Sequence, residues 1–145
     1  MSSERKIDPF AALILVISFI AIILIVIGPF MAFWLPYYNG VRYSCFTCEY
    51  YTLGDLAAQI FAIILFILQI IIVLNDLVPK PIIKKNIDFL GMALAGLTII
   101  VVVIGAAIFI ITYIEYDSWP ELGFYAGVIG GIINVILFVL KYKNK

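Results

Sequence analysis

Four long apolar segments, separated by short polar ones, constrain this chain more than any other feature. The segments cover residues 9–35, 53–77, 87–115 and 119–141. Each reaches or exceeds the roughly 20 residues that a helix needs to cross about 30 Å of hydrocarbon. Only 12% of the residues are charged, where a soluble domain carries about 25%. The sequence therefore predicts an all-α integral membrane protein, with four transmembrane helices in one domain that covers residues 1–145.

The positions of the basic residues predict how these helices are oriented. Eight of the nine lysines and arginines lie before the first segment, between the second and the third, or from the last residue of the fourth onward. Only Arg42 lies between the first and the second. Because Lys and Arg in short loops are enriched on the cytoplasmic side, we expect both termini in the cytoplasm and residues 36–52 outside. Short connections favour antiparallel neighbours, and hence an up-down-up-down bundle in the cell membrane.

The starts of the segments carry residues that typically cap helices. Thr52 and Ser118 each have a carboxylate three residues later, which is the pattern of a capping box. The predicted caps are Asp8 before Pro9, Thr52 with Asp55, Asn86, and Ser118 with Glu121. Within the first segment, Gly28 and Pro29 predict a kink. We interpret the carboxylates at these positions as helix caps rather than catalytic groups.

Small residues recur at four-residue spacing on the second and fourth segments. Such stripes let two helix backbones approach closely, which matters in lipid because no hydrophobic force drives helices together there. The stripes consist of Gly54, Ala58 and Ala62, and of Gly123, Gly127 and Gly131. Two interpretations stay open for the fourth segment: contacts within one chain, or a homo-oligomer or partner interface.

The polar residues well inside the segments are uncharged. Ion and proton pathways usually place charged side chains or histidine within the membrane, so this pattern argues against a pump. Gln59 and Asn134 are predicted to form hydrogen bonds between helices. The chain has no histidine, which excludes histidine-ligated haem and the usual zinc centres. We expect no metal site, and the scattered basic residues form no patch for nucleic acid.

Aromatic residues concentrate on the predicted outer side. Both tryptophans and eight of the nine tyrosines lie near or beyond that boundary. Buried aromatic residues dominate binding hot spots, so one interpretation is a docking surface. A pocket for a flat ring such as quinone, or a cap that packs on itself, are the alternatives. The residues assigned to partner contact are Trp34, Tyr37, Tyr38, Tyr43, Tyr50, Tyr51 and Trp119.

Cys45 and Cys48 are the only cysteines, and they form a C-x-x-C pair in the predicted outer loop. An extracytoplasmic location permits oxidation to a disulfide. A loop this short gains little stability from the bond, because the entropic contribution grows with loop length. A structural disulfide and redox use both stay open.

The position of the C-x-x-C pair, just before the second span on the outer side, resembles the DsbB family. That family passes electrons from a periplasmic thiol oxidase to membrane quinone. The resemblance implies quinone as cofactor and Cys45 and Cys48 as the quinone-facing pair. The arginine that follows the C-x-x-C pair in that family is replaced here by Glu49, Tyr50 and Tyr51, and in the alternative redox site Arg42 would instead lie beside the cysteines. The second cysteine pair of that family has no counterpart, since the outer turn at 115–121 contains no cysteine.

A second resemblance is to the claudin and related tetraspan proteins. Their first outer loop carries a tryptophan and a G-L-W-x-x-C motif, to which Trp34 and the sequence G-V-R-Y-S-C at 40–45 are similar. Arg42 stands where that motif has tryptophan. Residues 36–52 are expected to be too short for the outer sheet of that family.

Two hypotheses for function follow. The leading one is a non-enzymatic accessory subunit or scaffold without a cofactor. It would meet a protein partner, or a second copy of the chain, through an aromatic outer loop that the Cys45–Cys48 disulfide clamps. The alternative is a thiol-disulfide oxidoreductase coupled to quinone, with Cys45 and Cys48 as its redox pair.

Overall fold

In the computed structural model, four helices form a bundle and a small sheet lies at one end of it. The structure describes residues 6–46, 48 and 52–144. Within these residues the long helices are α1 Pro9–Ile27, α2 Leu53–Leu77, α3 Asp88–Thr112 and α4 Leu122–Lys143. All four are long and apolar enough to cross a membrane, which confirms the prediction of four helices with the length and composition of membrane spans.

Each helix packs mainly on two others. α1 and α3 both contact α2 and α4. The starts of α1 and α3 meet the ends of α2 and α4 around Lys141, so successive helices run in opposite directions. We call this the Lys141 end of the bundle and the opposite one the sheet end.

The sheet at the other end has three antiparallel strands in the order β2-β1-β3. The strands are β1 Met31–Leu35, β2 Gly40–Ser44 and β3 Ser118–Pro120. A short 3₁₀ turn, Pro36–Tyr38, joins β1 to β2, and Asn39 completes it at φ 42°. Asparagine tolerates this left-handed conformation better than most residues. The sequence did not predict this sheet, because β1 comes from the end of the first apolar segment and β3 from the turn before α4.

The first helix ends at Ile27 instead of continuing to residue 35. The N–H of Gly28 caps its last turn, and Pro29 has no N–H with which to extend the helix. Gly28 and Pro29 therefore mark a helix end rather than a kink. Residues 30–33 are at most 1% exposed. These residues are apolar because they are buried inside the protein. The hydropathy of a sequence is the same whether its residues face a protein core or lipid.

Two of the predicted helix caps, at Asp8 and Thr52, are confirmed. The carboxylate of Asp8 accepts a hydrogen bond from the N–H of Phe10 at 2.9 Å. Thr52 and Asp55 form a complete capping box at the start of α2. At α3 the N-cap is Ile87 rather than Asn86, although the side-chain oxygen of Asn86 accepts a hydrogen bond from the N–H at position 88, at 2.9 Å.

The capping box predicted at Ser118 and Glu121 was wrong. Ser118 belongs to strand β3, and Glu121 is itself the residue that precedes α4. The carboxylate of Glu121 accepts a hydrogen bond from the indole N–H of Trp119 at 2.7 Å. Pairing with β1 extends the backbone at 118–120, which removes Ser118 from the helix start.

One polar side chain from each helix meets in the middle of the bundle. Asn134 of α4 donates to the hydroxyl of Ser18 at 2.9 Å and to the amide oxygen of Gln69 at 2.8 Å. Gln69 in turn donates to the hydroxyl of Thr98 at 3.1 Å. All four side chains are fully buried. The predicted role of Asn134 in hydrogen bonding between helices is confirmed.

A second buried group joins the helix ends around Lys141. The ammonium group of Lys141 donates to the carboxylates of Asp76 and Asp88, and it lies 4.0 Å from the carboxylate of Asp8. The side chains of Lys141 and Asp88 are 0% exposed. Each helix contributes one charge, so Lys141 is a structural cation as well as one of the basic residues that mark this end.

The glycine stripe of α4 lies against other helices of the same chain. A Cβ added at Gly127 would lie 2.7 Å from Val102, and one at Gly131 would lie 2.6 Å from Ile99. Gly123 approaches the backbone oxygen of Pro29. These glycines are buried within the bundle, so a second chain would meet α4 through other residues.

The stripe of α2 also lies at a helix contact within the chain. A Cβ added at Gly54 would lie 2.5 Å from Ile108 of α3, and one at Gly105 of α3 would lie 2.3 Å from the Cβ of Ala58. Ala62 is fully buried in the core near the sheet end. Small residues on both sides thus set the distance between α2 and α3.

Candidate functional site

The face of the sheet that points away from the helices carries three of the predicted contact residues. In β1, Ala32 lies opposite both Tyr43 of β2 and Trp119 of β3. Residues opposite each other on neighbouring strands share a face, and Trp34, two residues after Ala32, shares it too. We call Trp34, Tyr43 and Trp119 the outer aromatic face.

These aromatic side chains combine exposure with a defined position. Trp34 is 41% exposed and Tyr43 is 44% exposed, whereas Ala32 between the strands is 0% exposed. The hydrogen bond from Trp119 to Glu121 orients its indole ring. The outer aromatic face is therefore an ordered surface with half-exposed rings, a combination that suits a protein contact.

Two other predicted contact residues lie at the tip of the β1–β2 hairpin. Tyr37 is 87% exposed and Tyr38 is 72% exposed. They project beyond the strands instead of joining the outer aromatic face. Tyr50 and Tyr51, also predicted as contact residues, lie outside the described residues.

The opposite face of the sheet packs on the helices. Phe33 stacks on Tyr113, with ring centroids 4.4 Å apart and planes inclined by 14°. The rings of Tyr116 and Phe109 lie 5.7 Å and 5.9 Å from Phe33. Such pairs contribute about 0.5–1.5 kcal/mol beyond their buried area. Part of the aromatic excess therefore packs the cap on itself, which was one of the interpretations left open.

A buried carboxylate holds the sheet to the start of α2. Asp55 is fully buried, and it accepts hydrogen bonds from the hydroxyl of Ser44 and from the backbone N–H of Thr52 at 2.5 Å. Ser44 is the last residue of β2, and its carbonyl accepts from the N–H of Phe30 at 2.7 Å. The local sequence predicts Asp55 as a helix cap but gives no indication of Ser44, because no local pattern links positions 44 and 55.

Gln59 lies one turn after Asp55 and does not connect two helices. Its side-chain amide donates to the backbone oxygen of Asp55 at 3.3 Å, within α2. The prediction that Gln59 forms a hydrogen bond between helices was wrong. The side chain of Gln59 instead bonds to the first turn of its own helix, at Asp55.

The two cysteines form a disulfide directly after β2. Cys45 and Cys48 are bonded, with Cα atoms 5.0 Å apart, and both are partly buried. Arg42, the third residue of the alternative redox site, lies opposite Phe33 and therefore on the face of the sheet that points toward the helices. Arg42 and Tyr43 thus lie on opposite faces of β2.

Acidic side chains flank strand β3, at one edge of the sheet. Glu115 and Asp117 are exposed in the turn before β3, and the carbonyl of Asp117 accepts a hydrogen bond from the N–H of Trp34 at 2.9 Å. Glu121 follows β3. In the described residues the basic group at this end is the partly buried Arg42, so the β3 edge of the sheet, which we call its rim, is negatively charged.

Replacing Ser44 with alanine tests the link between sheet and bundle. We expect Ser44→Ala to lower the free energy of unfolding by about 1.5 kcal/mol, since a hydrogen bond to a buried charge is lost while Thr52 still satisfies part of the carboxylate. Thermal unfolding in detergent measures the change. Ser118→Ala, in the same sheet, is the control and should stay within about 0.5 kcal/mol of the original chain. Equal effects of the two changes would contradict the assigned role of Ser44.

The fold and the site were compared with known proteins in three ways. No family model, curated protein or solved structure matches this chain. The resemblances to the DsbB family and to claudin-like tetraspan proteins therefore stay predictions that rest on the residues quoted for them.

Proposed function

We propose that this chain is a non-enzymatic multi-pass membrane protein that acts by contact, as an accessory subunit or scaffold, through its outer aromatic face. The observation that carries the proposal is the grouping of Trp34, Tyr43 and Trp119 on one ordered face of the sheet. Tryptophan and tyrosine are enriched among residues that dominate binding energy.

The proposal includes an orientation for the bundle. The Lys141 end carries the described residues Lys6, Lys80, Lys84, Lys85 and Lys143 in addition to Lys141, whereas the sheet end carries Arg42. The rule that basic loops stay in the cytoplasm supports a sheet end outside the cell membrane and both termini inside it, in an up-down-up-down bundle.

The chemistry of the site indicates the kind of partner. A surface complementary to it has an apolar centre, which covers the aromatic rings, and lysines or arginines around it, which face Glu115 and Asp117. Opposite charges at the rim speed association and set the relative orientation of the two proteins. We propose an extracytoplasmic region of a second membrane protein with this pattern as the partner.

Site-specific crosslinking in native membranes tests the proposal. A photoreactive amino acid at position 34 should give one defined protein adduct, and the same group at position 142, exposed at the Lys141 end, should not give it. Tyr43→Ala should weaken the adduct about 30-fold, because a hot-spot aromatic contributes about 2 kcal/mol. Reversing the rim charges with Glu115→Lys and Asp117→Lys should slow its formation.

Two results would contradict the contact proposal. One is that position 34 yields lipid adducts alone. The other is that the adduct persists unchanged when Tyr43 and the rim carboxylates are replaced. Each variant must first show the same thermal unfolding as the original chain, so that loss of the adduct reports on the surface and not on folding.

The redox hypothesis is supported by the partly exposed disulfide between Cys45 and Cys48. Its reaction is the transfer of two electrons and two protons from the reduced thiols to a quinone, which leaves the disulfide and a quinol. Reduced protein with a soluble quinone should show no loss of quinone absorbance if the contact proposal holds. Rapid stoichiometric quinol formation, abolished by Cys45→Ser, would replace that proposal with the redox one.

A further inference from the structure

An apolar groove lies between α2 and α3 near the Lys141 end. Its volume is about 570 Å³, within the range of roughly 300–1,000 Å³ that small-molecule sites occupy. Leu68 and Ile71 of α2 and Leu90 and Leu94 of α3 form its walls, and Ile83 of the connecting loop closes it toward the helix ends. The side chains that line it are almost all hydrocarbon, so it suits an apolar chain.

The loop at 78–87 is held in place over this groove. The side-chain amide of Asn75 donates to the carbonyl of Ile83 at 2.9 Å, and its oxygen accepts from the N–H of Ile83 at 2.9 Å. The two bonds attach the loop to the last turns of α2. The groove therefore has a defined end next to the loop.

The same loop carries three lysines with no carboxylate partner. Lys80, Lys84 and Lys85 are exposed, and within the described part of the chain none of them forms an ion pair or a hydrogen bond. Lys6 lines a separate cavity of about 200 Å³ together with Asp76 and Pro79. Three positive charges thus belong to the loop that closes the end of the apolar groove.

We propose that this groove binds one anionic phospholipid. The acyl chain lies between α2 and α3 against Ile71 and Leu90, and the phosphate group is held by Lys84 and Lys85, with Lys80 beside them. An apolar groove that ends at unpaired lysines matches both parts of such a lipid, whereas an apolar peptide would leave the lysines without a counter-charge. Basic pockets beside membrane helices commonly hold anionic headgroups.

Native mass spectrometry with defined lipids tests the headgroup contact. The purified protein in detergent is titrated with phosphatidylglycerol and with phosphatidylcholine that carry the same acyl chains. Each lysine near an anionic group contributes a factor of about five. The double variant Lys84→Gln, Lys85→Gln should therefore lose about 30-fold in phosphatidylglycerol binding and keep its phosphatidylcholine binding. Lys143→Gln, an exposed lysine at the same end, is the control and should change neither.

A second set of variants tests the acyl chain contact. Leu90→Trp fills the groove and should reduce binding of both lipids at least tenfold. Ile136→Trp, on the exposed surface of α4, is the matched control and should leave binding unchanged. Inorganic phosphate at the same concentration should not displace the bound lipid. The groove stabilises the acyl chain of the lipid, and inorganic phosphate has no such chain.

Three results would overturn the proposal. They are equal binding of the two lipids by the original chain, an unchanged preference in the double lysine variant, and displacement by inorganic phosphate at the lipid's own concentration. If Leu90→Trp does not fold, the exposed lysine variants still decide the outcome, since Lys84 and Lys85 make no contact on which folding depends.

Discussion

Lys141→Met is expected to lower the free energy of unfolding by about 3–5 kcal/mol, the largest effect of any single change considered for this chain. The ammonium group is fully buried against Asp76 and Asp88, with Asp8 4.0 Å away. Removing it leaves buried carboxylates without their counter-charge, and an unpaired buried charge costs several kcal/mol. Asp76 also lies near the end of α2, where the helix dipole disfavours a negative charge. Thermal unfolding in detergent measures the loss.

Two further variants test this explanation. Lys143→Met changes an exposed lysine in the same last turn of α4 as Lys141. It should alter the free energy of unfolding by no more than about 0.5 kcal/mol. Adding Asp88→Asn to Lys141→Met removes one of the stranded charges and should restore part of the stability. If the double variant is no more stable than Lys141→Met alone, the unpaired carboxylate is not the cause of the destabilisation. The cause would then be the lost packing of the lysine side chain.

Gly105→Val is expected to cost about 3 kcal/mol, the upper part of the usual range for overpacking. A Cβ at this position would lie 2.3 Å from the Cβ of Ala58, a distance at which one of the two backbones must move. Valine adds two further methyl groups to the same contact, so α2 and α3 must separate. The change in unfolding temperature measures the cost, and Ala58→Gly in the same chain should recover part of it.

Gly96 provides a matched control on the same helix. A Cβ at Gly96 meets no atom within 4 Å, and Gly96→Val should therefore leave stability unchanged or slightly raise it, because glycine is a poor residue for a helix interior. If the two valine variants behaved alike, helix propensity and not the α2–α3 distance would govern the result.

Hydropathy and capping chemistry were enough to predict most of the helical part of the fold. The predicted span at 53–77 coincides with α2, Leu53–Leu77, because Thr52 and Asp55 define its start and Pro79 follows its end. The bounds of α3 and α4 differ by one to three residues from those predicted. At α1 the prediction was wrong by eight residues, since residues 30–33 are as apolar as a lipid-facing helix although the sheet and the helices bury them.

The site was only partly predictable for a different physical reason. The one-sided excess of aromatic residues led to the prediction of Trp34, Tyr43 and Trp119 as contact residues, and the structure places these three residues on one face of the sheet at the same end of the bundle. Their grouping depends on β1 pairing with a strand more than 80 residues away in sequence. Local propensity carries no information about that strand register. It also does not distinguish Tyr43, whose ring is half-exposed, from Tyr113, whose ring stacks on Phe33.

The buried role of Lys141 was missed for a similar reason. A lysine just after an apolar segment normally anchors the helix at the membrane surface with its charge in water. Here carboxylates from three other helices surround it, and each of those aspartates taken alone looks like a cap or a loop residue. Only the three aspartates together indicate a buried cation site, and the fold brings them together from distant positions in the sequence.

The polar contacts of α4 can form only after the other three helices have been synthesised, which affects how the bundle assembles in the membrane. α4 is made after α1, α2 and α3, and it supplies both Asn134, which bonds to Ser18 and Gln69, and Lys141, the cation shared by three carboxylates. While only α1, α2 and α3 have left the ribosome, those groups face each other without the donors that satisfy them. Insertion of α4 is therefore the step that makes the earlier three helices mutually compatible, and a nascent chain halted before residue 134 is expected to be a substrate for membrane proteolysis.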